Sequence, residues 1–232
     1  MNAHAGDILT YMQMCMIEEA NLQRGMNYRF AGRDYSIILM SVRDNSPYDD
    51  EILEGGRTII YEGHDVSKTD AQNPKSVDQP MATDSGRLTQ NGHFWTAAME
   101  YKAGKRAAER VRVYEKIKAG IWVYNGVFEL VDAWLQQQDK RQVFRFKLCA
   151  TEAEDQSSRA SLVEIEHTRV IPSSVKKEVW LRDGGKCVNC GRTDNLHFDH
   201  IIPFSKGGTS LSAANIQLLC MSCNLSKRDR IE

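Results

Sequence analysis

Short runs of β-branched and aromatic residues alternate with turn residues through the first 150 positions of the chain. Runs of this length and composition are typical of β-strands, and they lie at 34–40, 57–61, 111–114, 121–124, 127–134 and 142–148. Asn125-Gly126 stands between two of these runs and predicts a two-residue hairpin turn. The pattern therefore predicts a curved, partly closed β-sheet.

Three other segments show the features of helices. Apolar positions recur at steps of three or four over 8–23 and over about 93–108. Ile171-Pro172-Ser173-Ser174 predicts the entry to a third helix over 175–181. Together with the strands, these segments indicate an α+β fold in which a few helices flank the sheet.

The last third of the chain has a different pattern. Residues 197–202 alternate like a half-buried strand, and Pro203 is expected to end it. Lys206-Gly207-Gly208-Thr209 predicts a turn, and 212–219 is predicted to return as a short helix or an extended segment. A helix is predicted from Cys223 onward, which gives a compact ββα unit.

Length and composition favour two domains. A chain of 232 residues with 41% hydrophobic content can bury a sizeable core and has room for about two domains. The polar, serine-containing stretch that begins at Thr151 predicts a linker over 151–170, between domains at 1–150 and 171–232. The net charge is −1, and 171–232 holds nine Lys/Arg against six Asp/Glu. This bias is too mild to indicate nucleic-acid binding by itself.

Four cysteines form two Cys-x-x-Cys pairs, Cys187/Cys190 and Cys220/Cys223. Two such pairs supply the four thiolates that a structural Zn²⁺ site requires, and this is the interpretation we favour. The alternative is a pair of disulfides, which belongs to secreted chains. No secretory segment or membrane span is visible, so we expect a cytoplasmic protein without membrane contact, with Cys15 and Cys149 as reduced thiols.

The residues around the cysteines match a family in order and spacing. The matching set is Asp199-His200-Ile201-Ile202-Pro203, Gly207-Gly208, Asn215 and Leu219-Cys220-x-x-Cys223-Asn224-x-x-Lys227. Over about 171–230 the chain resembles the HNH (ββα-metal) nucleases, in the variant whose last ligand is Asn. The resemblance implies that His200 is the general base, that Asp199 and Asn224 hold the catalytic divalent ion, and that Asn215 fixes the loop carrying the base.

The chemistry of these side chains agrees with those roles. A neutral imidazole near pH 7 is well suited to take a proton from an attacking water, as His200 would. A carboxylate and an amide oxygen are hard ligands for Mg²⁺ or Mn²⁺, as Asp199 and Asn224 would be. The other histidines lack ligand spacing, and we expect His4, His64, His167 and His197 to be structural or solvent-facing. His197 could also join the site as an extra ligand or phosphate contact.

A basic stretch over 102–118 is a candidate DNA contact. It includes Lys102, Lys105 and Arg106, and Lys227 is a further candidate for phosphate binding. A solvated helix face explains the stretch equally well.

The N-terminal half also matches a family. The ordered fragments are Gly6-Asp7-Ile8, 34–39, Tyr48-Asp49-Asp50-Glu51, 56–63, Asp78-Gln79-Pro80, 88–92 and 124–128. Over most of 6–150 the chain resembles the SRA (YDG) domains, which have a PUA-like curved sheet and flip 5-methylcytosine or 5-hydroxymethylcytosine out of the duplex. The resemblance implies that Tyr48 and Tyr61 sandwich the base and that Glu51 occupies the position of the carboxylate that reads N4. Without the resemblance, Tyr48 would be a turn tyrosine and Tyr61 a core strand residue.

Joined, the two resemblances imply a modification-dependent restriction endonuclease that binds double-stranded DNA carrying modified cytosine and hydrolyses a nearby phosphodiester bond. One such active site cuts one strand, so we expect a homodimer. Two alternatives stay open at this point: an HNH nuclease without modified-base specificity, and a non-catalytic reader of modified DNA.

Overall fold

A computed structural model of the chain describes residues 3–42, 46–53, 56–67, 69, 71–151, 171–203 and 206–227. Apart from Thr151, the predicted linker lies outside the described residues. None of the helices described is long and apolar enough to cross a membrane.

The N-terminal part is built on one mixed sheet. Its strands are β1 (Ile8–Thr10), β2 (Met26–Asn27), β3 (Ser36–Met40), β4 (Glu51–Leu53), β5 (Thr58–Glu62), β6 (Glu109–Lys118), β7 (Ile121–Gln138) and β8 (Arg141–Ala150). The strand order is β2-β3-β6-β7-β8-β5-β4, and β1 also pairs with β7. Only the β3–β6 pairing is parallel among these strands. The predicted α+β fold with an SRA-like sheet is confirmed.

The predicted hairpin at Asn125-Gly126 is wrong, because both residues lie inside the continuous strand β7. Val113 pairs with Gly126 and Tyr114 pairs with Tyr124, which leaves Asn125 as the extra residue of a β-bulge. Gly126 has a φ of +95°. Glycine with a positive φ occurs both in β-bulges and in hairpin turns, so the Asn-Gly sequence does not distinguish the two structures.

Two helices flank this sheet. Helix α1 (Tyr11–Ile17) is shorter than predicted because Ile8, Leu9 and Thr10 pair with β7 as strand β1 instead. The Thr10 and Gln13 side chains form a capping box at its start. Helix α2 (Gln90–Lys102) starts and ends earlier than predicted and buries Phe94, Ala97 and Ala98 in the core of the sheet.

The C-terminal part has the predicted ββα form. After α3 (Ser173–Arg182), strands β9 (Leu196–His200) and β10 (Ile216–Cys220) pair antiparallel, and α4 (Met221–Lys227) follows directly. The return segment is a short 3₁₀ turn at Ala213–Asn215 that leads into β10.

The two parts share a hydrophobic core. Ile8, Ile117 and Val123 of the sheet cluster with residues of α3, β9 and β10, among them Val175, Phe198 and Leu218. The C-terminal unit therefore packs against the outer side of β1, β6 and β7.

Candidate nuclease centre and base pocket

The four predicted metal ligands converge. The sulfur atoms of Cys187, Cys190, Cys220 and Cys223 all lie within 4.8 Å of one another. The Cys190 and Cys220 Sγ atoms are 3.6 Å apart. This separation is too long for a disulfide of about 2.05 Å and close to the ~3.8 Å between sulfurs on a tetrahedral zinc with Zn–S bonds of ~2.3 Å. The cluster therefore fits a structural Zn²⁺ ion, and all four cysteines are free thiols.

Backbone turns place these cysteines. The Gly191 N–H donates to the Cys187 carbonyl over 2.8 Å, and Gly191 has a φ of +75°, which favours glycine. Burial raises the pKa of the Cys187 thiol, but N–H groups of Cys220, Cys190 and Asn189 outweigh burial and lower that pKa to about 6. Cys187 therefore favours the thiolate, which is the form that binds metal. Contacts among the sulfur atoms raise the pKa of Cys223, and at Cys190 they outweigh the lowering of the pKa by the Arg192 N–H.

Asp199 lies near the end of β9 and is 8% exposed. Its Oδ2 atom accepts from Lys227 Nζ at 2.7 Å and from Gln217 Nε2 at 3.1 Å. Among the described residues its Oδ1 atom has no hydrogen-bond partner and is not fully buried. One carboxylate oxygen is thus held in place while the other stays open to a ligand.

Asn224 lies on α4, the helix whose last residue, Lys227, contacts Asp199. It precedes Lys227 by three positions, which places both side chains on the same face of the helix. The half-buried Asn224 amide has no hydrogen-bond partner in the described part of the chain. An open carboxylate oxygen and an open amide on adjoining elements fit a hard divalent cation.

His200 is the last residue of β9 and is 9% exposed. Its Nε2 atom lies 2.8 Å from Ser210 Oγ. Neighbouring residues of a strand point to opposite faces, and Asp199 and His200 accordingly contact different side chains. Lys227 Nζ joins them through the backbone, because it donates to the His200 carbonyl as well as to Asp199.

Asn215 fastens the loop that follows His200. Its Oδ1 atom accepts from Ile202 N at 2.8 Å, and its Nδ2 atom donates to the carbonyls of Ile202 and Thr209 at 3.0 and 3.1 Å. A Cβ atom on Gly208 would lie 1.8 Å from the Ile202 carbonyl oxygen, so this close approach requires glycine. The loop is therefore closed by one side chain on both of its sides.

Lys227 does not lie where a phosphate contact would be expected. It is 1% exposed, and its ammonium group is directed to Asp199 and the His200 carbonyl rather than to solvent. The sequence motif indicates that Lys227 belongs to the HNH unit, but it does not indicate that the side chain is buried. The burial follows from the packing of α4 on the end of β9.

The basic stretch is divided between structural and exposed residues. Arg106 donates to the Tyr28 hydroxyl at 3.0 Å and pairs with the buried Glu109. Lys102 pairs with Asp132 at 2.6 Å, and Lys105 is exposed. Of the three candidates, only Lys105 presents a solvent-exposed ammonium group without an ion pair in the described structure.

The predicted base-stacking tyrosines lie on either side of a histidine. The His64 ring stacks on Tyr48 with centroids 5.9 Å apart, and its Nε2 atom lies 3.2 Å from the Tyr61 hydroxyl. Tyr61 is 1% exposed, whereas Tyr48 is half-buried and has Lys75 Nζ 4.2 Å from its ring centroid. Burial lowers the pKa of His64 to about 4, so the imidazole is neutral at pH 7. His64 was expected to be structural or solvent-facing, and it is largely buried. Its stacking on Tyr48 joins two separate segments, so no local pattern indicates it.

Two acidic residues beside Tyr48 differ in environment. Glu51 is exposed on β4, while Asp50 is buried and accepts from Glu62 N at 3.0 Å and from Ser41 N at 3.2 Å. Burial raises the pKa of Asp50 to about 7 despite these hydrogen bonds. A cavity of about 360 Å³ is lined by Tyr48 and Asp50 and by residues at the start of α3, including Lys177.

Two family models match the chain. Residues 3–154 match the family model of the SAD/SRA domain, and residues 187–230 match that of the HNH endonuclease. The SUVH5 SRA domain in complex with hemi-methylated CG DNA is similar at 23% identity and a TM-score of 0.47, covering 65% of this chain and 90% of that chain. The modification-dependent TagI restriction endonuclease is similar at 17% identity and a TM-score of 0.43, covering 97% of this chain and 76% of that chain. Comparison with curated proteins found no match.

Proposed function

Because this chain belongs to the SAD/SRA domain family and carries an HNH endonuclease domain, we propose that it is a modification-dependent restriction endonuclease. It would recognise 5-methylcytosine or 5-hydroxymethylcytosine in double-stranded DNA by base flipping and cleave the backbone nearby. The observation that carries the proposal is that two hard donors, Asp199 Oδ1 and the Asn224 amide, have no hydrogen-bond partner among the described residues. They lie in a chain that also carries His200, next to Asp199 along β9, and an SRA domain.

His200 would act as the general base in phosphodiester hydrolysis. Ser210 Oγ, 2.8 Å from His200 Nε2, orients the ring, and the other ring nitrogen, Nδ1, would take the proton from the attacking water. Asn215 keeps the following loop, and with it the imidazole, in a fixed position. Lys227 holds Asp199 Oδ2, while Oδ1 has no hydrogen-bond partner among the described residues.

Asp199 and Asn224 would hold Mg²⁺ or Mn²⁺. When bound, such an ion supplies charge neutralisation at the 3′ leaving oxygen. Two protein ligands leave coordination positions for waters and a phosphate oxygen. The four cysteines would hold Zn²⁺ as a structural ion that fixes α4, and with it Asn224, relative to β10.

The reader part would take the everted base between the rings of Tyr48 and Tyr61. Base eversion costs a few kcal/mol, and aromatic stacking returns roughly 1–3 kcal/mol per base. Glu51 would accept from the cytosine N4 amine, since the oxygens of Asp50 already accept backbone N–H groups. His64 lies against both tyrosine rings, so its ring must shift or share the pocket with the base.

Two broader features follow from the proposal. One active site of this kind cleaves one strand, so a double-strand break requires two copies, and we propose a homodimer on DNA. Reduced thiolates at the cysteine cluster are stable in the cytoplasm, where we place the protein.

The decisive experiment compares digestion of otherwise identical duplexes that contain 5-methylcytosine, 5-hydroxymethylcytosine or plain cytosine, with Mg²⁺ and with Mn²⁺. We expect cleavage of at least one modified duplex and none of the plain duplex. Equal cleavage of all three would indicate a nuclease without modified-base specificity, and binding without cleavage would indicate a non-catalytic reader. The His200→Ala variant is the matched control, because it should lose cleavage while its zinc content and its affinity for modified DNA stay near wild type.

A further inference from the structure

The segment Gly6–Thr10 hydrogen-bonds with both parts of the molecule. On one side β1 pairs with β7, and the Gly6 N–H donates to the Tyr124 carbonyl at 2.8 Å. On the other side Asp7 forms a β-bridge with His197, and the Phe198 N–H donates to the Gly6 carbonyl at 3.4 Å. The N-terminal segment therefore contacts β9, the strand that carries Asp199 and His200, through one isolated β-bridge.

A side-chain contact reinforces this backbone bridge. Asp7 Oδ1 lies 2.7 Å from His197 Nδ1, and Asp7 Oδ2 accepts from the His4 backbone N–H at 2.8 Å. Asp7 is 8% exposed, so water competes little for this contact. His197 precedes Asp199 by two positions and His200 by three, so a shift of His197 along β9 moves both residues.

A second contact prevents the two parts from rotating about the N-terminal segment. Lys176 of α3 is buried, with its Nζ atom paired to Glu115 Oε2 and 2.8 Å from Asn125 Oδ1. Asn125 Nδ2 also donates to Glu115 at 3.1 Å. Asn125 is the bulge residue of β7, so the bulge directs its amide at the nuclease part.

The shared apolar core connects these two contacts. Ile8 and Val123, the two partners of the first β1–β7 pair, pack in one cluster with Phe198 of β9 and Val175 of α3. The buried Lys176–Glu115 ion pair and the Asp7–His197 bridge lie at separate positions, so together they oppose both translation and rotation of one part relative to the other. The catalytic strand is thus attached to the reader sheet through folded structure, independently of the chain segment between 151 and 171.

We propose that Asp7 is a positioning residue for the nuclease and that the docked arrangement sets one fixed distance from the modified base to the cleaved bond. This inference rests on the proposed function. The N-terminal segment would not contact the substrate. It would influence the position of the cleaved bond by holding β9, which carries Asp199 and His200.

The test maps cleavage sites by sequencing the products of the full-length protein on long duplexes with a single modified cytosine. For the wild type we expect cuts within one or two adjacent positions on each strand. The Asp7→Ala variant should spread the cuts over more positions and lower kcat about tenfold or more, because small displacements of catalytic groups cost rate steeply. Its Kd for modified DNA should stay unchanged. Asp7→Asn should restore most of the rate, since it keeps the shape of the side chain and an oxygen atom at the position that lies 2.7 Å from His197 Nδ1.

His4→Ala is the matched control, because the exposed His4 contacts Asp7 only through its backbone, and it should behave as wild type. Wild-type cuts scattered over a helical turn of DNA would overturn the inference without any variant, even if Asp7→Ala failed to fold. A folded Asp7→Ala protein with wild-type kcat and wild-type cleavage sites would overturn it too. No cleavage of modified DNA, or equal cleavage of plain DNA, would instead refute the proposed function and this inference with it.

Discussion

Lys227 and Asp199 form a buried ion pair, with Nζ 2.7 Å from Oδ2, where helix α4 meets the end of strand β9. The same ammonium group donates to the His200 carbonyl. Removing one partner of a buried pair typically costs about 3–5 kcal/mol, because the other charge stays buried without compensation. Lys227 therefore stabilises the packing of α4 against the end of β9, where Asp199 and His200 lie.

The Lys227→Ala variant should lose cleavage activity and melt at a lower temperature, but the salt dependence of its DNA affinity should not change. A phosphate contact would behave differently, because its loss reduces the slope of log K against log[salt] by about 1. Lys105→Ala is the matched comparison, since Lys105 is exposed. A Lys227→Ala protein with reduced salt dependence and full activity would show that Lys227 binds phosphate after all.

Loss of the structural ion should unfold the C-terminal unit. Cys220→Ser removes a buried ligand of the cysteine cluster, and a structural zinc contributes its binding free energy directly to folding. We expect loss of bound zinc by metal analysis, increased protease cleavage between 171 and 227, and no nuclease activity. Cys149→Ser is the control, because Cys149 lies in β8, away from the cluster, and should retain zinc. A Cys220→Ser protein with full zinc content would contradict the assignment.

Asn215 should affect catalysis more than metal content. Replacing it with Ala removes three hydrogen bonds that close the loop between Ile202 and Thr209. Each typically contributes about 0.5–1.5 kcal/mol to stability. We expect kcat to fall tenfold or more, while zinc content and Kd for modified DNA stay constant. Asn224→Ala offers a contrast, because it should raise the Mg²⁺ or Mn²⁺ concentration required for half-maximal rate. Equal metal requirements in both variants would refute the division of roles.

His64 should make stability depend on pH. Burial lowers its pKa to about 4 in the folded protein, whereas an unfolded histidine titrates near 6.5. Between these values the unfolded chain binds a proton that the folded chain does not, so this stabilisation is present above about pH 6.5 and is lost as the pH falls toward 4. The upper limit of the effect is about 3 kcal/mol.

The measurement is the free energy of unfolding in denaturant at several pH values for wild type and His64→Gln. We expect the wild type to lose more stability than the variant between pH 7 and pH 4. Parallel curves for the two proteins would show that His64 is not buried against the two tyrosines.

Sequence patterns predicted the features whose signal is local. The spacing of Cys187, Cys190, Cys220 and Cys223 predicted a cluster, and the alternation before Pro203 predicted the strand that ends there. The patterns did not predict features set by distant partners. Thr10 and the two residues before it have helical spacing, yet β7 takes them as a strand. Asn125-Gly126 has turn chemistry, yet the strand continues through it as a bulge.

The candidate site shows the same division. The order of Asp199, His200, Asn215 and Asn224 along the chain is sufficient to propose their roles. Asp7 contacts His197, and Lys176 contacts Glu115. Each contact joins the N-terminal part to the C-terminal part across more than sixty residues of sequence, so no local sequence pattern indicates it. The His64 contact with Tyr48 likewise depends on the pairing of β4 with β5.

The apolar cluster shared by Ile8, Val123 and Phe198 limits how the molecule can be engineered. A nuclease module excised at residue 171 would leave behind one side of its own interior and the strand that flanks β9. Fusing it to another DNA-reading domain would therefore expose hydrophobic surface and favour aggregation. The fusion would also have to include Gly6–Thr10 and a pair of strands, with a β-bulge, equivalent to β6 and β7. We accordingly expect that base specificity is changed more easily by substitutions around Tyr48 than by replacing the whole N-terminal part, because such substitutions leave the shared hydrophobic cluster intact.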